Sequence, residues 1–169
     1  MKPMIQKSRQ AVLLAGMVLC AGCTTPAPTY RFAGAAGDPR VSFASDFDLQ
    51  THFSVNVSDA AKNSCADLDR VGYLLKTDSV FLYDKANTEI SIQVPAGKPM
   101  VVMGLHTFSD PAYRANCGPL SRTFTPVRGT DYVVKLNLAS KVCFLTVASV
   151  DAGGRQAPVP SIPTPKCER

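Results

Sequence analysis

The chain has 169 residues, the length of one domain, and 46% of them are hydrophobic, which is enough to bury a core. The net charge of +5 gives little support to nucleic-acid binding, because the basic residues Lys2, Lys7 and Arg9 precede position 23 and no acidic residue does. The rest of the chain carries 15 of the 18 Lys and Arg residues against 13 Asp and Glu, and these charges are scattered.

Residues 1–22 have the layout of a secretory signal peptide. A positively charged start is followed by an apolar run at residues 11–19 and then by the small residues Ala21 and Gly22. The run is too short to span a bilayer, which takes roughly 20 residues. The sequence therefore predicts export from the cytoplasm.

Cys20 and Cys23 form a C-x-x-C pair, a spacing also found in redox dithiols and zinc sites. In this position the end of the signal resembles the lipobox of bacterial lipoproteins, in which a cysteine after two small residues becomes the lipidated N-terminus. The resemblance implies that Cys20 leaves with the signal and that Cys23 carries lipid, although Cys20 stands where the family prefers Leu. Thr24, rather than Asp, follows the cysteine. By the family's sorting rule, this implies the outer membrane of a diderm cell envelope, facing the periplasm.

Residues 23–40 are predicted to be the lipidated cysteine and a flexible linker. They are rich in Pro, Gly, Ala and Thr and show no apolar period. A free tether of this length spans about 20–25 Å. An alternative is that part of the segment packs as an edge strand, with Tyr30 and Phe32 as apolar anchors. The folded domain is expected at residues 41–169.

Period-two alternation dominates this domain. The clearest predicted strands cover residues 49–57, 89–94, 101–108, 131–138 and 142–150, with shorter ones at 71–75 and 80–83. Only residues 58–70 have sequence features of a helix. The pattern predicts an all-β fold, an antiparallel β-sandwich of about seven or eight strands. The stretches "VPAG" and "FTPVRGTDYVV" resemble those of bacterial envelope modules of the immunoglobulin-like or transthyretin-like kind.

Four cysteines remain after the signal and the lipidated residue are set aside. An even number of cysteines in an oxidising compartment favours two disulfides over a four-thiolate metal site, which usually shows close C-x₂₋₄-C pairs. Sequence leaves three pairings open. The arrangement favoured here is Cys117–Cys143, with Cys117 in a loop, together with Cys65–Cys167.

The densest polar cluster falls at residues 104–119, which are predicted to form a disulfide-tied loop. Its candidate binding residues are His106, Asp110, Tyr113 and Arg114. If His106 follows the alternation of the preceding strand, it faces outward.

His106 and Asp110 also suggest a general-base pair with Ser109 or Ser121 as nucleophile. A nucleophile elbow is missing from the sequence. No motif indicates a cofactor or a metal, and His52 has no carboxylate placed beside it by spacing.

These features favour a non-catalytic binding or scaffold module, held at the membrane by lipid and facing an envelope protein partner. The alternatives are an envelope hydrolase or hydrolase inhibitor that uses the 104–119 loop, and a passive surface lipoprotein.

Overall fold

The computed structural model describes residues 29–57, 67–78, 85–110 and 113–164, without the side chains of residues 108–110 and 113–115. The described residues form strands, turns and irregular segments, and they contain no helix. The strands are β1 (Arg40–Ser45), β2 (Thr51–Val57), β3 (Asp69–Leu74), β4 (Ile90–Gln93), β5 (Met100–Asp110), β6 (Tyr113–Phe124), β7 (Asp131–Ala139), β8 (Val142–Val150), β9 (Gln156–Pro158) and β10 (Ile162–Pro163). Among the described residues no helix is long and apolar enough to cross a membrane.

The strands form two five-stranded sheets. One has the order β4-β1-β7-β8-β9 and the other the order β10-β6-β5-β2-β3. The all-β prediction is confirmed, but the described residues contain ten strands rather than seven or eight. The expectation of a wholly antiparallel arrangement is wrong at one place, because β1 pairs with β7 in parallel.

Alternating side chains from both sheets fill one core. Phe43 of β1 and Phe53 of β2 come from different sheets, and their ring centroids lie 4.9 Å apart. Phe124 and Tyr132 make a second ring contact between the sheets, at 5.2 Å. Since burying a large apolar side chain contributes about 1.5–3 kcal/mol, this shared core is the main stabilising feature of the fold.

Five strands predicted from alternation are present as β2, β4, β5, β7 and β8, with ends shifted by a few residues. The predicted hairpin between β7 and β8 is also present. Its turn places Ser140 and Lys141 at φ values of 51° and 67°. Left-handed backbone at both central residues matches the right-handed twist of the flanking strands.

The predicted helical stretch at residues 58–70 is corrected in its last two residues. Asp69 and Arg70, at the end of the predicted helical stretch, belong to strand β3. Residues 58–66 of that stretch and the predicted strand at residues 80–83 lie outside the described residues.

Residues 29–39, hereafter the N-terminal strap, lie against the side of the domain where β3 and β4 meet. The Tyr30 amide donates to the Arg70 carbonyl at 2.9 Å, and the Val94 amide donates to the Pro39 carbonyl at 3.0 Å. The Tyr30 side chain packs against the core. Burial, and secondarily the negative charge of Asp69, raises the pKa of Tyr30 to about 12. The described part of the predicted linker is therefore attached to the sheets.

The other side of the two sheets is closed by the last described residues. The Val159 amide donates to Val147 of one sheet at 3.0 Å, and β10 then pairs with β6 of the other. The Ser121 hydroxyl donates to the Thr164 carbonyl at 3.1 Å. Pro158 and Pro163 lie in these edge strands, where a missing N–H discourages pairing with another chain.

Candidate functional site

The predicted loop at residues 104–119 is a β-hairpin, which corrects the sequence interpretation. His106 and Asp110 lie in β5, and Tyr113 and Arg114 begin β6, with Asp110 paired to Tyr113. The side chains of Asp110, Tyr113 and Arg114 lie outside the described residues. Their role in binding therefore stays a prediction.

A bulge in this hairpin sets the direction of the side chains near its middle. Gly104 pairs with Leu120 and His106 pairs with Cys117, so β6 has one more residue than β5 between these pairs. Gly118 occupies the bulge with a φ of 100°. The bulge shifts the alternation of β6 by one residue, so Cys117 points into the core. His106 follows Val102 and Gly104 on the regular strand β5 and points into the core as well.

Cys117 forms a disulfide with Cys143, with a Cα–Cα distance of 5.7 Å. The bond joins β6 of one sheet to β8 of the other, next to the β7–β8 turn. Cys117 lies within a strand rather than in the expected loop. Cys65 and Cys167 lie outside the described residues, so their pairing stays a prediction.

His106 is only 3% exposed, so the expectation that it faces outward is wrong. Its Nδ1 donates to the Gln50 carbonyl at 2.9 Å. Its ring stacks on Phe47, with centroids 4.0 Å apart and planes 11° apart. Next to it, the hydroxyl oxygens of Ser45 and Thr51 are 2.8 Å apart. These contacts hold the β1–β2 connection against the hairpin, which is a structural role.

The structure does not bring together the residues of the suggested hydrolase. His106 and Asp110 are four positions apart on one strand, which separates their Cα atoms by about 13 Å. Ser121 pairs with Met103 on the opposite face of the sheet from His106, and its hydroxyl is bound to Thr164. Ser109 has no described side chain.

A cleft of about 730 Å³ lies between β3 and β4. Its described lining includes Phe43, Ile90 and Glu89, and none of the described residues that line it is His, Cys or Asp. The described residues contain no group of three or more His, Cys, Asp or Glu placed to hold a metal ion. His52 lies on the outer face beside Tyr73, at a ring distance of 5.8 Å.

Acidification should weaken the fold through its two histidines. Burial lowers the pKa of His106, against the effect of its bond to Gln50, and burial together with Arg70 lowers the pKa of His52. Below about pH 6.5 the unfolded chain therefore binds more protons than the native one. The free energy of unfolding should fall by at most about 1.4 kcal/mol per pH unit for each histidine. Urea melts between pH 7.5 and pH 5 measure this slope.

The His106→Asn variant separates the two histidines, since an amide keeps a donor near the position of Nδ1 but does not titrate. We expect lower stability at pH 7.5, from the lost stacking on Phe47, and a shallower slope between pH 7 and pH 5. His52→Asn is the matched control, because it removes the contribution of the other histidine to the pH slope. A slope unchanged by His106→Asn contradicts this assignment.

Exposed apolar side chains surround the β7–β8 turn, a feature that the sequence analysis did not identify. Leu138 is 46% exposed, Val142 63% and Phe144 37%. Leu138 shares a face with Cys143, whereas Phe144 pairs with Asn137 on the opposite face. These residues, with the turn between them, are called the apolar tip. Its signal in the sequence is the run "VCFLTV", which is apolar at positions of both faces.

Polar contacts hold in place the end of β7 from which the apolar tip begins. The Leu138 amide donates to the Asp46 carboxylate at 3.0 Å, and the Lys135 ammonium lies 2.6 Å from the same group. The bonds from Lys135 and from the Leu138 amide hold the pKa of Asp46 below its usual value. A second ion pair, Lys76 with Asp48 at 3.4 Å, lies on the same β1–β2 connection. Asp46 and Lys135 thus place charged groups beside the exposed Leu138.

Comparison with protein-family models, with curated proteins and with solved structures gives no match for this chain. The interpretation of the site therefore rests on its geometry.

Proposed function

We propose that the protein is a lipid-anchored β-sandwich of the bacterial cell envelope that binds a protein partner through its apolar tip. Cys23 carries the lipid and holds the domain at the outer membrane, facing the periplasm. The domain acts as a non-catalytic binding or scaffold module. Its finer fold is that of the immunoglobulin-like or transthyretin-like envelope modules.

The observation that carries this proposal is the exposure of Leu138, Val142 and Phe144 around one turn. Single exposed apolar residues are common, but Val142 and Phe144 are neighbours on one face of β8, and neighbouring exposed apolar residues are typical of an interaction site. The disulfide and the bonds to Asp46 fix the hairpin before a partner binds. A fixed hairpin loses little conformational entropy on binding, and aromatic residues such as Phe144 are enriched at the centre of protein interfaces.

Three features support the envelope as its location. The signal layout and the two small residues before Cys23 predict lipidation. Attachment by several acyl chains is stable, since one chain alone binds only marginally and stable anchoring takes two lipid signals. The disulfide between Cys117 and Cys143 is typical of an oxidising compartment.

Photo-cross-linking in living cells tests the binding surface. A photoreactive phenylalanine analogue is placed at Phe144, or at Val127 as a matched control. Val127 is 59% exposed and precedes β7 at the opposite end of the sheets. We expect a discrete cross-linked product from position 144 and none from position 127. The Val142→Asp substitution should abolish that product while leaving the melting temperature within about 2 °C, because changes at exposed positions cost little.

The absence of a discrete product from position 144 would indicate a passive surface lipoprotein and contradict the proposal. So would a product that persists in the Val142→Asp variant.

A further inference from the structure

We propose that the lipid bilayer lies against the β3 edge and the base end of the domain, so that the apolar tip points away from the membrane. The base end comprises the loops at residues 94–99 and 125–130, at the opposite end of the sheets from the β7–β8 turn. This inference rests on the proposed anchoring at Cys23, and it adds the orientation that anchoring imposes.

The N-terminal strap shortens the tether. Thr29 forms a bridge with Arg70 on the edge of β3, and the Tyr30 amide donates to the same residue. Gly34 then lies so close to the Gln93 side chain that a Cβ at this position would collide with its Oε1. The strap is therefore held from Thr29 onward.

This attachment limits how far the domain can lie from Cys23. Six positions separate Cys23 from Thr29. Six residues of unstructured chain would have a typical span of about 12–15 Å, compared with 20–25 Å for the whole predicted linker. The bilayer surface must therefore lie close to the site where Thr29 meets β3.

The direction of the strap indicates that the base end of the domain faces the bilayer. The bridge between Thr29 and Arg70 is parallel, so the backbone at Thr29 runs in the direction from Asp69, where β3 begins, towards Val71. Asp69 pairs with Val55 of β2, and that strand ends at the base, where Val57 pairs with Met100. The N-terminal side of Thr29 therefore faces the base end.

The apolar tip lies in the other direction. Arg70 is level with Ser54, whereas the disulfide is level with Thr51 through His106. Two more residues separate Leu138, which pairs with Cys143, from the turn. Measured from the level of Arg70, the tip therefore lies about 17 Å along the strands. The disulfide joins the tip to β6, which is three strand spacings from β3, about 14 Å across the sheet. The combined separation exceeds the typical span of the tether.

The surface chemistry of the base end is compatible with lipid headgroups. Arg31 and Arg70 are exposed beside the strap, and Val127 is an exposed apolar residue at the tip of a base loop. Asp67 and Asp131 are also exposed there. The orientation is consequently set by the tether rather than by net charge.

The absence of tryptophan from the chain permits a direct test. Val127→Trp and Phe144→Trp variants of the full, lipidated protein each carry one fluorescent reporter. They are reconstituted into vesicles of phosphatidylethanolamine and phosphatidylglycerol that contain a headgroup-spin-labelled lipid quencher. We expect several-fold stronger quenching in Val127→Trp than in Phe144→Trp. Insertion of a twelve-residue Gly-Ser segment before Thr29 should reduce this difference, because it lengthens the tether.

Equal quenching in the two variants, or stronger quenching in Phe144→Trp, overturns the orientation. Co-sedimentation with the vesicles is measured in parallel and separates the two proposals. Protein that sediments but shows the wrong pattern refutes the orientation alone, whereas protein that fails to sediment refutes the anchoring on which both depend.

Discussion

Replacing Cys117 and Cys143 together with alanine should lower the melting temperature by on the order of 10 °C. The disulfide closes a loop of 27 residues, from one cysteine to the other. In the chain-entropy model such a loop stabilises the fold by about 3.6 kcal/mol. This is a large part of the 5–15 kcal/mol by which a domain is typically stable, and the temperature shift depends on the size of the domain. Calorimetry of the wild type and the double variant measures it.

The same substitution should weaken partner binding, because it frees the hairpin that carries the apolar tip. Val127→Ala is the control, since it changes an exposed apolar residue that lies outside the apolar tip and away from the bond. Its melting temperature should stay near that of the wild type. A double cysteine variant that melts like this control would show that the shared core alone fixes the two sheets.

The Gly118→Ala substitution should have a comparably large effect. The φ of Gly118 is 100°, a conformation that side chains rarely adopt. A Cβ would lie 2.6 Å from the Gly104 carbonyl oxygen and 2.8 Å from the Leu120 amide nitrogen. Both are backbone atoms in paired strands and have little freedom to move. We expect a loss of about 2–4 kcal/mol in the free energy of unfolding.

Gly97→Ala separates the two causes of this loss. Gly97 has a φ of 77°, but no atom lies within 4 Å of the position that a Cβ would take there. That variant should lose about 1–2 kcal/mol from backbone strain alone. Urea melts of both variants give the difference, which is the cost of the clash. Equal losses in the two variants would contradict the close approach of the strands at Gly118.

Alternation was sufficient to predict the strands that have one face in the core. In β2, Thr51, Phe53 and Val55 are buried and the residues between them are more exposed, so the sequence repeats with the period of the backbone. β7 behaves in the same way, and the short connection after it predicts the hairpin. The two sheets and their shared core follow from such patterns, because each apolar face must be covered by another.

Strand β6 could not be predicted in this way, because its sequence contains Gly118 and Pro119, which usually mark turns. The bulge accommodates both residues within the strand. Cys117 faces the core because of the same bulge. His106 continues the buried alternation of Met100 and Val102 along β5, but its stacking partner Phe47 comes from a distant part of the chain. Neither the bulge nor the contact with Phe47 has a periodic signal.

The order of strands in the sheets was also beyond sequence reasoning. β1 is a short strand whose partners, β4 and β7, are distant in sequence, so no local turn indicates them. The apolar tip did have a signal, since Val142 and Phe144 are apolar at positions where a half-buried strand usually carries polar residues. That signal has meaning only once the exposed face is known.

The intact mass of the mature protein, purified from membranes, tests the central claim most directly. The account predicts a chain that begins at Cys23, carries acyl groups and contains no cysteine that reacts with a thiol reagent, since Cys65 and Cys167 are then also paired. A chain that retains residues 1–22, or one that begins after them with a free thiol at Cys23, would contradict lipid anchoring.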